Sequence, residues 1–159
     1  MPLDPDSFRS VLGRFASGVT VVTATDGEGR DHGMTVSAFC SLSLTPPLVL
    51  ACVDRSASMN AMLVAPLHFV VNILASHQEA LSRRFSGLDA ARRFDGIGFT
   101  RSIGGAPVLG EVVAYLECRL VSRHDEGDHA IVVGHVETAE SEENRPLLYY
   151  RGGYAQLER

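Results

Sequence analysis

Among six histidines, His124, His129 and His135 lie closest together along the chain, a spacing that raises metal ligation as a first possibility. His129 and His135 fall on one face of a predicted strand, about 20 Å apart by strand rise, too far to share an ion. No metal is therefore assigned, and these histidines read as surface or supporting groups. Nucleophilic hydrolysis is no better supported. The chain has no Gly-x-Ser-x-Gly elbow, and Cys40, Cys52 and Cys118 each sit in a largely apolar segment without an adjacent base. The cysteines read as reduced packing thiols rather than a disulfide framework. Phosphate chemistry leaves a narrower opening. Neither Gly-x-Gly-x-x-Gly nor a Walker motif is present, and every one of the 14 basic residues is an arginine. A phosphate-bearing ligand must then be held by hydroxyls, arginines and backbone N–H groups at a loop or helix start, which Ser56 and Ser58 could supply.

A chain of 159 residues is long enough for one domain to bury a sizeable core, and 45% hydrophobic with 21% charged residues is a globular composition. With a net charge of -5 and basic clusters no longer than the pairs Arg83-Arg84 and Arg92-Arg93, nucleic acid is excluded as an expected ligand. No apolar run has the length to cross a bilayer, and residues 1–6 lack the basic and apolar regions of a signal peptide. A cytoplasmic location is expected.

The elements that would position these groups are mostly strands. Ser7 can cap a helix whose Phe8, Val11, Leu12 and Phe15 form one apolar stripe, with Gly18 ending it. β-Branched residues 19–23, turn chemistry at 26–29 and the segment 32–36 predict a hairpin. A polar bend around Ser41 and Ser43 leads to residues 48–53, an apolar run expected to be a central strand buried on both faces. A short helix over 56–63, a strand over 69–74 and a helix over 77–85 follow. Glycines and Pro107 between 87 and 110 predict a surface excursion. Residues 115–122 and 130–136 flank Glu126-Gly127-Asp128 as a second hairpin, in which Leu116, Cys118 and Leu120 share a face. Many short strands with few helices predict a mostly β fold, an antiparallel barrel with peripheral helices.

Read together from Phe8 to Tyr154, these segments resemble the short-chain flavin reductase family, the reductase components of two-component flavin-dependent monooxygenases. The resemblance rests on the order and spacing of residues 15–23, 33–39, Ser41-Leu42-Ser43, 46–50, 69–74, Gly127-Asp128-His129 and 146–154. It implies an antiparallel split β-barrel (an FMN-binding split barrel). It further implies hydride transfer from NADH or NADPH to FMN or FAD, a homodimer, and an oxygenase partner that receives reduced flavin by diffusion.

The resemblance also implies a set of site residues, each with a plainer alternative. Thr35, Val36, Ser37 and Ala38 would run along the flavin ring, or simply end a strand. Cys52, Val53, Ser56 and Ser58 would lie near the ribityl chain and phosphate, and the two serines could equally cap a helix. Ser82, Arg84 and Phe85 would form the next contact segment, against the alternative of a solvated arginine and a core phenylalanine. His129 would seat the nicotinamide, or be a polar turn residue; Tyr150, Gly152 and Tyr154 would close the pocket, or the tyrosines would pack in the core. Because the flavin supplies the electron chemistry, no catalytic side chain or metal is required. Two rivals remain at this stage: a split-barrel oxidase with tightly bound FMN, which should carry more basic phosphate ligands, and a non-catalytic flavin-binding or sensing protein.

Overall fold

The Asp26 carboxylate accepts hydrogen bonds from the backbone N–H groups of Glu28 and Arg30, and Gly29 takes φ +82°, so the chain reverses tightly between two β-branched segments. This turn opens the sheet of the computed structural model, which describes residues 1–158. In chain order the elements are α1 (Pro5–Leu12), β1 (Ser17–Gly18), β2 (Thr20–Thr25), β3 (Asp31–Val36), β4 (Phe39–Ser43), β5 (Leu48–Asp54) and β6 (His68–Ile73). There follow α2 (Glu79–Ser86), β7 (Phe99–Arg101), β8 (Pro107–Leu109), β9 (Ala114–Glu126), β10 (His129–Ser141), β11 (Leu147–Tyr150) and β12 (Gly153–Gln156).

Seven strands form one antiparallel sheet in the order β3-β2-β6-β9-β10-β5-β4. Val36 near one end of that order and Val49, Ala51 and Val53 near the other share one buried cluster with Phe69, Cys118 and Leu120. The sheet is therefore curled into a barrel. Its two ends are joined by only two residues, Ser37 and Ala38, between β3 and β4. The expected antiparallel split barrel is the fold observed.

A second cluster, of Val19, Val21, Leu74, Phe85, Leu109, Val112 and Leu147, lies on the other side of β2 and β6, beneath α2 and the small sheet β1-β11-β12. No helix among the described residues is long and apolar enough to cross a membrane.

Several local expectations differ from the structure. Helix α1 is capped by Asp4, whose carboxylate accepts from the Ser7 N–H at 3.0 Å, because Pro5 occupies the first turn. Phe8, Val11, Leu12 and Phe15 are all exposed in the chain. The bend expected at Ser41 and Ser43 is edge strand β4, paired with β5 through a bulge. β5 is not buried on both faces: its residues alternate between half-buried and buried, since only one face meets the barrel core. The helix expected over 56–63 shortens to a 3₁₀ turn at Asn60–Met62.

The excursion after residue 87 is only partly superficial. Its second half, β7 and β8, is held against the sheet by fully buried Asn72, whose side-chain oxygen accepts from the Leu109 N–H at 2.9 Å. The Thr23 hydroxyl donates to the Pro107 carbonyl at 2.5 Å beside it.

The cysteines also separate. Cys118 is buried as expected, Cys52 is half-buried, and Cys40 is exposed because edge strand β4 has no neighbour on one side. Burial pushes the Cys118 thiol up to about 12, so almost none of it is ionised at about pH 8. A thiol-specific disulfide reagent should therefore modify Cys40 rapidly in the native protein and reach Cys118 only after unfolding. Modification of Cys118 at the rate of Cys40 without denaturant would contradict this packing.

Candidate functional site

β3 approaches α2 more closely than any side chain at Gly33 would permit. A Cβ at that position would stand 2.6 Å from Phe85 Cε1. Phe85 is fully buried and is itself backed edge-on by Phe94, at 5.0 Å between ring centroids. The Arg93 guanidinium spans the gap between the two elements, with Nη1 donating to the Gly33 carbonyl at 2.8 Å and Nη2 to the Gly87 carbonyl at 2.5 Å. Burial lowers the pKa of this guanidinium, although an arginine keeps its charge throughout the physiological range. Its Nε is buried without a hydrogen-bond partner among the described residues.

Two residues further along β3, the Thr35 hydroxyl donates to the Ser82 carbonyl at 2.7 Å. The Ser82 hydroxyl lies 2.8 Å from the Tyr154 hydroxyl, and the Arg83 guanidinium stands 4.9 Å from the centre of the Tyr154 ring. Hairpin β11-β12 is in this way tied through α2 to the inner wall of the site.

The opposite wall is the loop after β5. Asp54 Oδ1 accepts from both the N–H and the hydroxyl of Ser56, at 2.8 and 2.7 Å. Those bonds, with the nearby His129, hold the Asp54 carboxyl below the ordinary carboxylate range. The Ser58 hydroxyl has no acceptor among the described residues and is free to donate outward. Beside this loop, Arg55 donates its N–H to the Asp128 carbonyl at 2.9 Å and its side chain to the Gly127 carbonyl at 3.2 Å. His129 consequently faces Asp54 across the β10-β5 ladder, with its Nδ1 2.7 Å from the Asp128 carboxylate.

Between the two walls runs an open cleft of about 450 Å³, bordered by Thr35, Asp54, Ser58, Phe85, Leu88 and Arg93 among others. The segment Ser37-Ala38 is exposed where the barrel is split. The Ala38 carbonyl accepts from the Cys52 N–H at 2.8 Å and the Ser37 carbonyl from the Phe39 N–H at 2.9 Å. The N–H groups of Ser37 and Ala38 donate to no acceptor among the described residues. They are two adjacent exposed donors on a segment anchored through its carbonyls.

Thr35, Ser56, Ser58 and Phe85 thus border one cleft, with Ser37, Ala38 and Cys52 at the neighbouring split. Val36 and Val53 turn their side chains into the barrel core, which leaves only their backbone available. Ser82 is fully buried behind Thr35. Arg84 does not border the cleft: its guanidinium donates to the carbonyls of Arg92 and Asp95 and pins the turn that carries Arg93. Tyr150 and Gly152 sit at the tip of β11-β12, where the Arg151 N–H donates to the Gly13 carbonyl at 2.9 Å, away from the cleft border.

Arg93, Asp54 and Leu88 are cleft residues that sequence reasoning missed. The pair Arg92-Arg93 stands out as a basic cluster. Nothing in its glycine-rich surroundings indicates which of the two turns inward.

A curled antiparallel sheet split between β3 and β4 is the fold of the flavin-binding split barrels. The chain belongs to the flavin reductase like domain family, whose profile matches residues 12–158. It is 41% identical over 157 residues to the flavin-dependent monooxygenase reductase subunit HsaB of Rhodococcus jostii, spanning 98% of this chain and 80% of that protein. It is also 41% identical over 153 residues to the FMN reductase (NADH) SmoA of Agrobacterium fabrum, spanning 96% of this chain and 86% of that one. Among solved structures, the NADH:FAD oxidoreductase SgcE6 of Streptomyces globisporus, in complex with NAD and FAD fragments, superposes with a TM-score of 0.91 at 35% identity. That match covers 99% of this chain and 97% of the other.

The bond between Ser82 and Tyr154 gives a direct test of the inner wall. Tyr154→Phe leaves the buried Ser82 hydroxyl unpaired and should cost about 1–3 kcal/mol of stability in urea denaturation. Ser82→Ala combined with Tyr154→Phe should cost clearly less than the sum of the single changes. Full additivity would show that the two hydroxyls do not act together.

Proposed function

We propose that this chain is an NAD(P)H:flavin oxidoreductase, one flavin reductase-like domain over residues 1–159 that passes a hydride from reduced nicotinamide to FMN or FAD. The observation that carries the reading is the pair of unengaged N–H donors at Ser37 and Ala38, beside a cleft that also borders Ser58 and Arg93. A cleft of about 450 Å³ is of the size that holds a small organic ligand. The flavin, when bound, supplies the electron-accepting ring, and so no protein nucleophile is needed.

The chain's own residues bind and orient. Thr35, Val36, Ser37 and Ala38 form the shelf for the ring, with the two free N–H groups aimed at its polar edge, where they favour added negative charge. Cys52 and Val53 contribute backbone along the ribityl chain. Ser58 and Arg93, both on the cleft border, meet the phosphate through the hydroxyl and the guanidinium charge. Ser56 keeps Asp54 turned toward its own loop. Ser82, Arg84 and Phe85 support the wall from behind: Ser82 through Thr35, Phe85 through Gly33, and Arg84 through the turn that carries Arg93.

His129 is assigned to the nicotinamide: it does not line the cleft itself, but the Gly127-Asp128-His129 turn that carries it is bonded to the loop that does, which supports the role. Tyr154 acts through Ser82. Tyr150 and Gly152 would reach a nicotinamide only from the tip of their hairpin. The exposed stripe of Phe8, Val11, Leu12 and Phe15 supports a homodimer, since pairing removes such apolar surface from water. Relatives that are reductase components of monooxygenases support an oxygenase partner supplied with diffusing reduced flavin. Use of the cell's nicotinamide pool supports a cytoplasmic location.

Purified protein mixed under low oxygen with NADH or NADPH and FMN or FAD should oxidise the nicotinamide, followed by its absorbance. A rate equal to that of the protein-free mixture would remove the reductase reading. His129→Ala should raise KM for the nicotinamide by about three- to tenfold while changing that for flavin less. An equal effect on both would end the role assigned to His129.

A further inference from the structure

Leu88 is the most exposed leucine in the chain, with a relative exposure of 105%, yet it borders the cleft beside Arg93. A lone leucine on an ordinary surface needs no explanation. This one stands at the mouth of a cleft bordered by the Arg93 guanidinium and the Asp54 carboxylate, and its backbone is held on both sides. The preceding Gly87 carbonyl accepts from Arg93 Nη2 at 2.5 Å, and its own carbonyl accepts from the Ala90 N–H at 3.1 Å. The apolar side chain is therefore kept at the rim by structure rather than left there by a loose loop. Ala90, half-buried, lies beside it on the same border.

We infer that Leu88, with Ala90, is the platform for the adenosine half of FAD, and that it biases the site toward FAD over FMN. The inference rests on the flavin reading above, in which the phosphate meets Arg93 and Ser58. FMN ends at that phosphate. FAD continues through a second phosphate and a ribose to a purine, whose planar apolar face needs a surface outside the cleft, beyond Arg93. Leu88 is the fully exposed apolar side chain on the cleft border. Covering one side of a fully exposed leucine removes part of its apolar area from water, which corresponds to about five- to tenfold in affinity.

The test is a direct binding titration without nicotinamide, by calorimetry, of FAD, FMN and ADP against the purified protein and its Leu88→Ser and Leu88→Met variants. Wild-type protein should bind FAD about five- to tenfold more tightly than FMN. Leu88→Ser should lose most of that ratio and weaken ADP in parallel, and Leu88→Met should restore it. A wild-type ratio of one or below, or a ratio unchanged by Leu88→Ser, overturns the inference while leaving the flavin reading in place. Failure of both flavins to bind would instead defeat the flavin reading, and this inference with it.

Discussion

The site depends on how closely β3 can be drawn against the end of α2. Gly33 permits that approach because it carries no Cβ to strike Phe85, and Arg93 secures it by donating to the carbonyls of Gly33 and Gly87 at once. Buried carbonyls bonded to a guanidinium make a strong brace, and a charged donor in a partly dry setting is costly to leave unmatched. Arg93 also borders the cleft, so in the proposed reading the group that holds the wall together is the one that meets the phosphate.

The other half of the site follows from the barrel's topology. A sheet that curls without closing must carry its chain across the split, and here the crossing takes only Ser37 and Ala38. Strand residues spend their N–H groups on neighbours, whereas crossing residues need not. The carbonyls of Ser37 and Ala38 are fastened to Phe39 and Cys52, which fixes the direction of the segment and leaves its donors facing out. The reductase reading uses these fixed donors in place of catalytic side chains, consistent with a cofactor that performs the electron chemistry.

Much of this is legible in the sequence, for physical reasons. The hairpins are visible because β-branched runs flank strong turn residues at 26–29 and 126–128, and Leu116, Cys118 and Leu120 alternate as a strand facing a core must. Thr35, Ser56, Ser58 and Phe85, named from the family resemblance, border one cleft. Tertiary contacts hide the rest. Arg84 and Arg93 are equivalent in type, and only folding decides that Arg84 pins a turn while Arg93 enters the wall. β7 and β8 pack because Asn72 and Thr23 reach them from the sheet, a bond over a separation no local pattern reveals. Edge position likewise decides that Cys40 is exposed, although Phe39 and Leu42 beside it in the sequence are apolar.

The central claim is that the split at Ser37-Ala38 and the cleft beyond it form one flavin site. A crystal structure of the protein soaked with FMN tests this most directly. The account predicts the ring's polar edge within hydrogen-bond distance of the Ser37 and Ala38 N–H groups, with the phosphate against Ser58 and Arg93. Flavin bound elsewhere, or those two N–H groups and Arg93 left facing solvent, would contradict it.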